Sequence, residues 1–257
     1  MWLAASFRPT SAFSLRSSTT TSSGGRTNLV PTMYAVKVAL IDAAYRAGED
    51  GASVFPLVRD VPIRFQPPEH AVVTNTFVKI LREARAPSPA KASTAEPPTE
   101  ADTVAETQSE AEESTATYTT SVGFRELCTF VGNLTVAFDL RVLSTDGRDH
   151  VERLLPVVNY FGKRSSFFQF ANVREIAELD SSFSFVVGEQ GNSFPSSMLI
   201  QYLDDMGPKA TFGAINTFSA QSAKVQRDRI LVPVALPYRR VSSSRGYTAY
   251  ERLGSTS

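Results

Sequence analysis

Residues 86–117, APSPAKASTAEPPTEADTVAETQSEAEESTAT, contain no aromatic side chain and a single large aliphatic one, Val104. Such a stretch cannot bury enough apolar area to offset the entropy of ordering it, so its composition predicts disorder. The core must therefore be assembled from the two flanks, 1–85 and 118–257. Both flanks carry strand-like patterns, and lengthening a surface loop adds little closure entropy. The expected arrangement is one domain, built from 1–85 and 118–257, interrupted by an acidic insert.

The zero net charge conceals an asymmetry. Seven acids and one lysine between residues 86 and 118 give that segment a balance of −6, leaving +6 for the rest. A basic folded part suits a polyanion better than a small neutral substrate. The single cysteine, Cys128, excludes an internal disulfide and points to a reducing compartment, here read as cytoplasmic. Two histidines and one cysteine are too few for an ordinary zinc or iron–sulfur centre, and no cofactor is expected. No apolar run approaches the roughly 20 residues of a membrane-spanning helix.

Organisation along the chain follows from periodicity. WLAASF and AFSL are strand candidates, separated by Arg8-Pro9-Thr10, and a Ser/Thr/Gly loop follows them. The segment VPTMYAVKVALIDAAYRAG predicts a helix capped by Thr32, with Met33, Val36, Leu40 and Ile41 as an apolar stripe and Gly48 as its stop. VPIRF and AVVTNTFVKIL read as strands. SVGFRELCTF and NLTVAFDLRVL read as two more, joined at Gly132-Asn133. TDGRD is a turn signal before a helix from Asp149, and SFFQFANV, SFSFVVG, SMLIQYL, ATFGAI and RILVPVAL are further strands. Strand–helix–strand thus occurs twice. Two such units sharing one antiparallel sheet, with helices on one face, make a ferredoxin-like, RRM-like α+β fold.

No enzyme signature emerges. His70 and His150 have no recognisable partner spacing, Cys128 sits in a strand pattern that implies core packing, and neither a Walker loop nor GxGxxG is present. The expectation is a non-enzyme. What does recur is glycine, hydroxyls and arginine beside aromatic strands. SLRSSTTTSSGGRT offers backbone N–H groups, the Ser/Thr run that includes Ser17 and Ser18, and two arginines, Arg16 and Arg26. It runs into the helix N-terminus at Pro31–Thr32, where unpaired N–H groups favour a phosphate. YFGKRSSFFQF places Lys163 and Arg164 in a glycine loop before three phenylalanines, the pairing of cations with stacking surfaces used on single strands. The first 32 residues hold three arginines and no acid, which also fits an organelle targeting segment.

In combination, the Arg-containing turn, the Pro-led Ala-rich helix, Arg125-Glu126 in FREL and Gly162-Lys163-Arg164 resemble the Cas-five family of CRISPR-associated proteins. These belong to the RAMP superfamily and cap the 5′ handle of the crRNA in type I Cascade. The resemblance implies a ferredoxin-like body with a thumb-like hairpin, whose arms here would be AVVTNTFVKIL and SVGFREL. It implies crRNA as ligand, the Cas-seven-like backbone and Cas-eight-like large subunits as partners, target DNA reached through the complex, and no membrane. Carried over, Arg8, Arg16 and Arg26 with Ser17 and Ser18 would line the handle, and Lys37, Lys163 and Arg164 would complete the cradle. Arg125 would touch RNA or form an ion pair with Glu126. Some members also cleave precursor crRNA without metal; His70, His150 and Tyr160 are the candidate bases for that alternative. An unrelated RNA-binding protein with a targeting segment is the third reading.

Overall fold

Leu3, Ala5 and Phe7 alternate with Ala4, Ser6 and Arg8 in the first strand, β1 (Trp2–Pro9), giving it two distinct faces. The computed structural model describes residues 1–17, 25–83, 118–189, 197–216 and 218–254. The insert expected at 86–117 and the candidate Ser18 lie outside them. After β1 come α1 (Met33–Arg46), α2 (Gly51–Arg59), β2 (Ile63–Gln66), β3 (His70–Glu83), β4 (Tyr118–Val131), β5 (Leu134–Asp139), α3 (Thr145–Leu154) and β6 (Phe168–Ile176). One sheet has the order β2-β5-β1-β6. In it β1 is antiparallel to both neighbours and β2 is antiparallel to β5. With β3 and β4 set aside as an excursion between β2 and β5, this is the βαββαβ arrangement of the ferredoxin-like fold. The protein is α+β with antiparallel sheets.

The helices take the Leu3–Ala5–Phe7 side. From α1, Met33, Val36, Leu40, Ile41, Ala43 and Ala44 join those three residues in the main core, with Val54 and Val58 of α2 and Val151 and Leu154 of α3. The other face carries only a small cluster, in which Phe183 covers Ala4 and Ala137. The opening residues, which composition alone also allows as a targeting segment, thus form an inner strand of the sheet.

Helix α1 starts as its sequence predicts. The Thr32 hydroxyl accepts from the Ala35 N–H, and Gly48 lies just beyond the end with φ +82. Helix α2 has no counterpart among the sequence expectations, because Pro56 inside it masks its pattern; Asp50 caps it through the Ala52 N–H. TDGRD is the first turn of α3 rather than a loop, since the Ser144 hydroxyl accepts from the Gly147 N–H. AFSL forms no strand. Phe13 instead makes an isolated bridge to Cys128, with both side chains buried.

Two further sheets complete the described residues. One has the order β10-β11-β3-β4, with β10 (Tyr238–Ser243) and β11 (Tyr247–Arg252). The other has the order β7-β9-β8, from β7 (Phe185–Val186), β8 (Leu199–Met206) and β9 (Arg229–Leu236). ATFGAI is not a strand: Thr211 caps a short helix, α4 (Phe212–Ile215), through the Ala214 N–H. The residues group into two compact units, Met1–Thr76 with Phe124–Ser257, and Phe77–Gly123. Within the second unit Phe77, Leu81, Tyr118 and Val122 are exposed. No helix of the described residues is long and apolar enough to cross a membrane.

Candidate nucleic-acid interface

Residues 13–17 and 25–28 are held as the two sides of a narrow hairpin base. The Ser17 N–H donates to the Arg26 carbonyl at 3.1 Å, and the Asn28 N–H donates to the Leu15 carbonyl at 2.7 Å. The Leu15 N–H is taken by the Thr27 hydroxyl at 2.9 Å. Strand β4 pins one side of this base. Gly25 donates to the Phe124 carbonyl and accepts from the Glu126 N–H, while a Glu126 carboxylate oxygen accepts from the Thr27 N–H at 2.8 Å. The Arg125 guanidinium packs over Gly25 and donates to the Phe124 carbonyl at 3.1 Å. Glu126 therefore braces the loop backbone, a role the sequence reading did not assign it.

The second predicted loop is built on a buried aromatic. Phe161 is fully buried, its ring 5.1 Å from Phe7 and 5.0 Å from Phe168. Gly162 follows with φ +69, where L side chains are strained, and a Cβ there would also meet Leu15 at 3.3 Å. The Phe161 N–H donates to Ser166 and the Ser166 N–H to Lys163, closing a turn with Lys163 and Arg164 exposed. Gly162→Ala is expected to cost about 1–2 kcal/mol from the left-handed backbone alone, read as a lowered denaturant midpoint at unchanged slope.

These two loops and the first half of α1 enclose a cleft of about 260 Å³. Arg16, Lys163 and Arg229 line it against one carboxylate, Asp204. Leu15, Ala35, Val38 and Ala39 supply apolar wall, and Tyr34 and Tyr160 supply rings. Thr32 places the N-terminus of α1 at the cleft, where the first-turn N–H groups have no intrahelical partner. The Arg229 guanidinium lies 4.9 Å from the centre of the Tyr34 ring and is ion-paired with Asp204, which is only 2% exposed. Burial raises the Tyr34 hydroxyl above the ordinary tyrosine range. Burial, followed by the nearby Asp42 carboxylate, does the same to Tyr160, against the lowering influence of Arg164.

Of the residues expected to hold RNA, Arg16 and Lys163 meet at this cleft, and Arg164 reaches its Tyr160 wall. Ser17 and Arg26 stand at the hairpin base beside it. Arg8 is placed elsewhere, because alternation along β1 turns it to the sheet face opposite Phe7. Lys37 is not in the cradle. It is 1% exposed, ion-paired with Asp205 at 2.7 Å, and donates to the Arg59 carbonyl at 2.8 Å. Burial lowers the Lys37 ammonium and raises the Asp205 carboxyl from their ordinary values. The reason is its spacing: Lys37 falls four residues after Met33 and three before Leu40, inside the buried stripe of α1.

Tyr34, Asp204, Arg229 and Asn28 are cleft residues that sequence reasoning missed. A signal for one existed, since two adjacent acids interrupt the apolar strand LIQYLDDM. Neighbours in a strand face opposite ways, so Asp204 serves Arg229 while Asp205 serves Lys37.

No family model matches the chain, and comparison with curated proteins finds no match. Among solved structures, the chain is similar to a CRISPR protein from Archaeoglobus fulgidus. The TM-score is 0.40 at 9% identity, over 98% of this chain and 92% of that one.

Proposed function

We propose that this protein is a non-catalytic RNA-binding subunit of a type I CRISPR Cascade-like complex, holding the single-stranded 5′ handle of the crRNA. The observation that carries the RNA reading is the cleft, which joins Arg16, Lys163 and the N-terminus of α1 to two tyrosine rings on a ferredoxin-like body. Exposed cations and the helix N-terminus fit phosphates, while rings fit unstacked bases. The choice of crRNA among RNAs rests on the likeness of the helix, FREL and GKR segments to the Cas-five family. On this reading the Cas-seven-like and Cas-eight-like subunits are its protein partners and target DNA is met only through guide pairing.

The rival reading, metal-independent cleavage of precursor crRNA, requires a base beside the scissile 2′-hydroxyl. Of its three candidates only Tyr160 lines the cleft, and its raised pKa keeps it protonated at neutral pH, a poor base. Recovering the protein from its native complex and sequencing the bound RNA tests the proposal. The expected result is a repeat-derived 5′ end common to all the RNAs. RNA-free protein, or RNAs without a shared end, overturns it. A discrete product from repeat RNA in EDTA would favour the nuclease.

A further inference from the structure

The β10–β11 hairpin repeats the ingredients of the two loops beside the cleft. Its tip reads SSSRG, and Ser242, Ser243, Ser244 and Arg245 are all exposed. Asn75 fastens this tip to β3. The Asn75 N–H donates to the Gly246 carbonyl at 2.8 Å, and its side-chain amide donates to the Arg245 carbonyl at 2.9 Å. The Gly246 N–H donates to the Ser244 hydroxyl at 3.2 Å. The backbone that carries Arg245 is therefore tied down, while its side chain stands in solvent.

Residues 238–252 carry four arginines against one acid, Glu251. Arg239 is paired with Glu251 at 2.7 Å, and Arg252 donates to the Pro67 carbonyl at 2.8 Å. Arg240 and Arg245 are left over, and Arg26 is in the same condition. All three are exposed, and among the described residues no carboxylate is ion-paired with any of them. Arg26 and Arg240 come together at one ring. Arg240 stands opposite Tyr250 in the hairpin register, and the segment holding Arg26 is fastened to β4 through Gly25 and Glu126. Burial and then the Glu126 carboxylate raise the Tyr250 hydroxyl above the ordinary tyrosine range, whereas Arg240 and Arg26 both act to lower it. Charge interactions fall off with distance, so both guanidiniums lie in that hydroxyl's neighbourhood. Arg26 also adjoins the cleft, since the next residue, Thr27, bridges to Arg16.

We infer that Arg26, Arg240 and Arg245 form a second phosphate-binding surface, which carries the backbone of an RNA strand onward from the cleft. The inference rests on the RNA-binding reading of the cleft and adds to it a surface on the C-terminal hairpin. Guanidiniums and serine hydroxyls both serve as phosphate contacts, which fix the course of a strand without reading its bases. Exposed cations with no acidic neighbour also raise the local concentration of a polyanion. The surface therefore contributes affinity that grows with strand length and is independent of sequence.

The test titrates oligouridylates of about four and about sixteen nucleotides, the ends of the usual range for single-strand sites, against the full chain and a triple variant. That variant combines Arg26→Ala, Arg240→Ala and Arg245→Ala, and should melt with the wild type because all three side chains are exposed. The shorter strand should bind both proteins alike, since the cleft alone holds it. On the longer strand the variant should lose affinity by about a thousandfold or more, the scale of three charge-assisted contacts. Its salt slope should flatten by about 2.1, from about 0.7 per contact. Arg239→Ala removes a charge that Glu251 already holds, and should leave affinity and slope near wild type. Unchanged binding of the longer strand by the triple variant overturns the inference and leaves the RNA-binding reading intact; it is the result expected if the surface serves an acidic protein instead. Equal losses on both strands also overturn it, because the arginines would then belong to the cleft. So does an Arg239→Ala slope change that matches the triple variant's per charge. Failure of the wild type to bind the longer strand removes the RNA-binding reading itself.

Discussion

Replacing Lys37 with methionine is expected to destabilise the protein by about 3–5 kcal/mol while leaving RNA binding by the folded fraction unchanged. The ammonium is enclosed between Asp205 at 2.7 Å and the Arg59 carbonyl at 2.8 Å, with its side chain 2% exposed. Methionine matches much of the hydrocarbon stem but abandons Asp205, a carboxylate already raised in pKa by burial. A half-buried carboxylate left with only the Met206 N–H as partner among the described residues costs more than the intact pair contributes. Removing both charges together, as in Lys37→Met with Asp205→Leu, should recover most of the loss. Denaturant unfolding of the two single variants and the double variant forms the cycle that separates the terms. A Lys37→Met protein as stable as wild type, or one that is stable but no longer binds RNA, would refute this placement.

The opposite behaviour is expected of Arg16→Ala combined with Lys163→Ala. Both side chains are exposed, so their loss should move stability by no more than about 0.5 kcal/mol. RNA binding should suffer instead. Each charge-assisted hydrogen bond to a phosphate contributes about 1.5–3 kcal/mol, and about 1.4 kcal/mol is tenfold, so losing two should lower affinity by about two to four orders of magnitude. Salt dependence supplies an independent reading. On single strands each phosphate contact contributes about 0.7 to the slope of log affinity against log salt, so the double variant should flatten it by about 1.4. An unchanged affinity and slope would sink the proposed cradle. Arg8→Ala is a useful comparison, because β1 presents that residue on the other face of the sheet.

Elements governed by local physics were readable. Helix α1 carries its own cap at Thr32, its own stripe and its own stop, all within seventeen residues. The two strand–helix–strand units follow from hydrophobic period, and with them the expectation of a ferredoxin-like fold; the order β2-β5-β1-β6 is set by strand pairing in the folded chain. Where expectation failed, a longer-range or masked cause was at work. Pro56 disguised α2. AFSL looked like a strand because Phe13 and Leu15 alternate with polar neighbours, yet their burial comes from contact with β4 and the Gly162 loop.

The candidate site divides along the same line. That this chain concentrates glycine, hydroxyls and cations in two loops, one of which runs into a helix N-terminus, is a property of its order of residues, and no fold is needed to see it. Which of those cations share a cleft was decided only in three dimensions. Arg16 and Lys163 converge because Phe161 anchors one loop beside Phe7 and Glu126 braces the other through Thr27, contacts spanning about a hundred residues or more. Arg8 and Lys37 diverge because strand alternation and helical period aim side chains with no regard for charge.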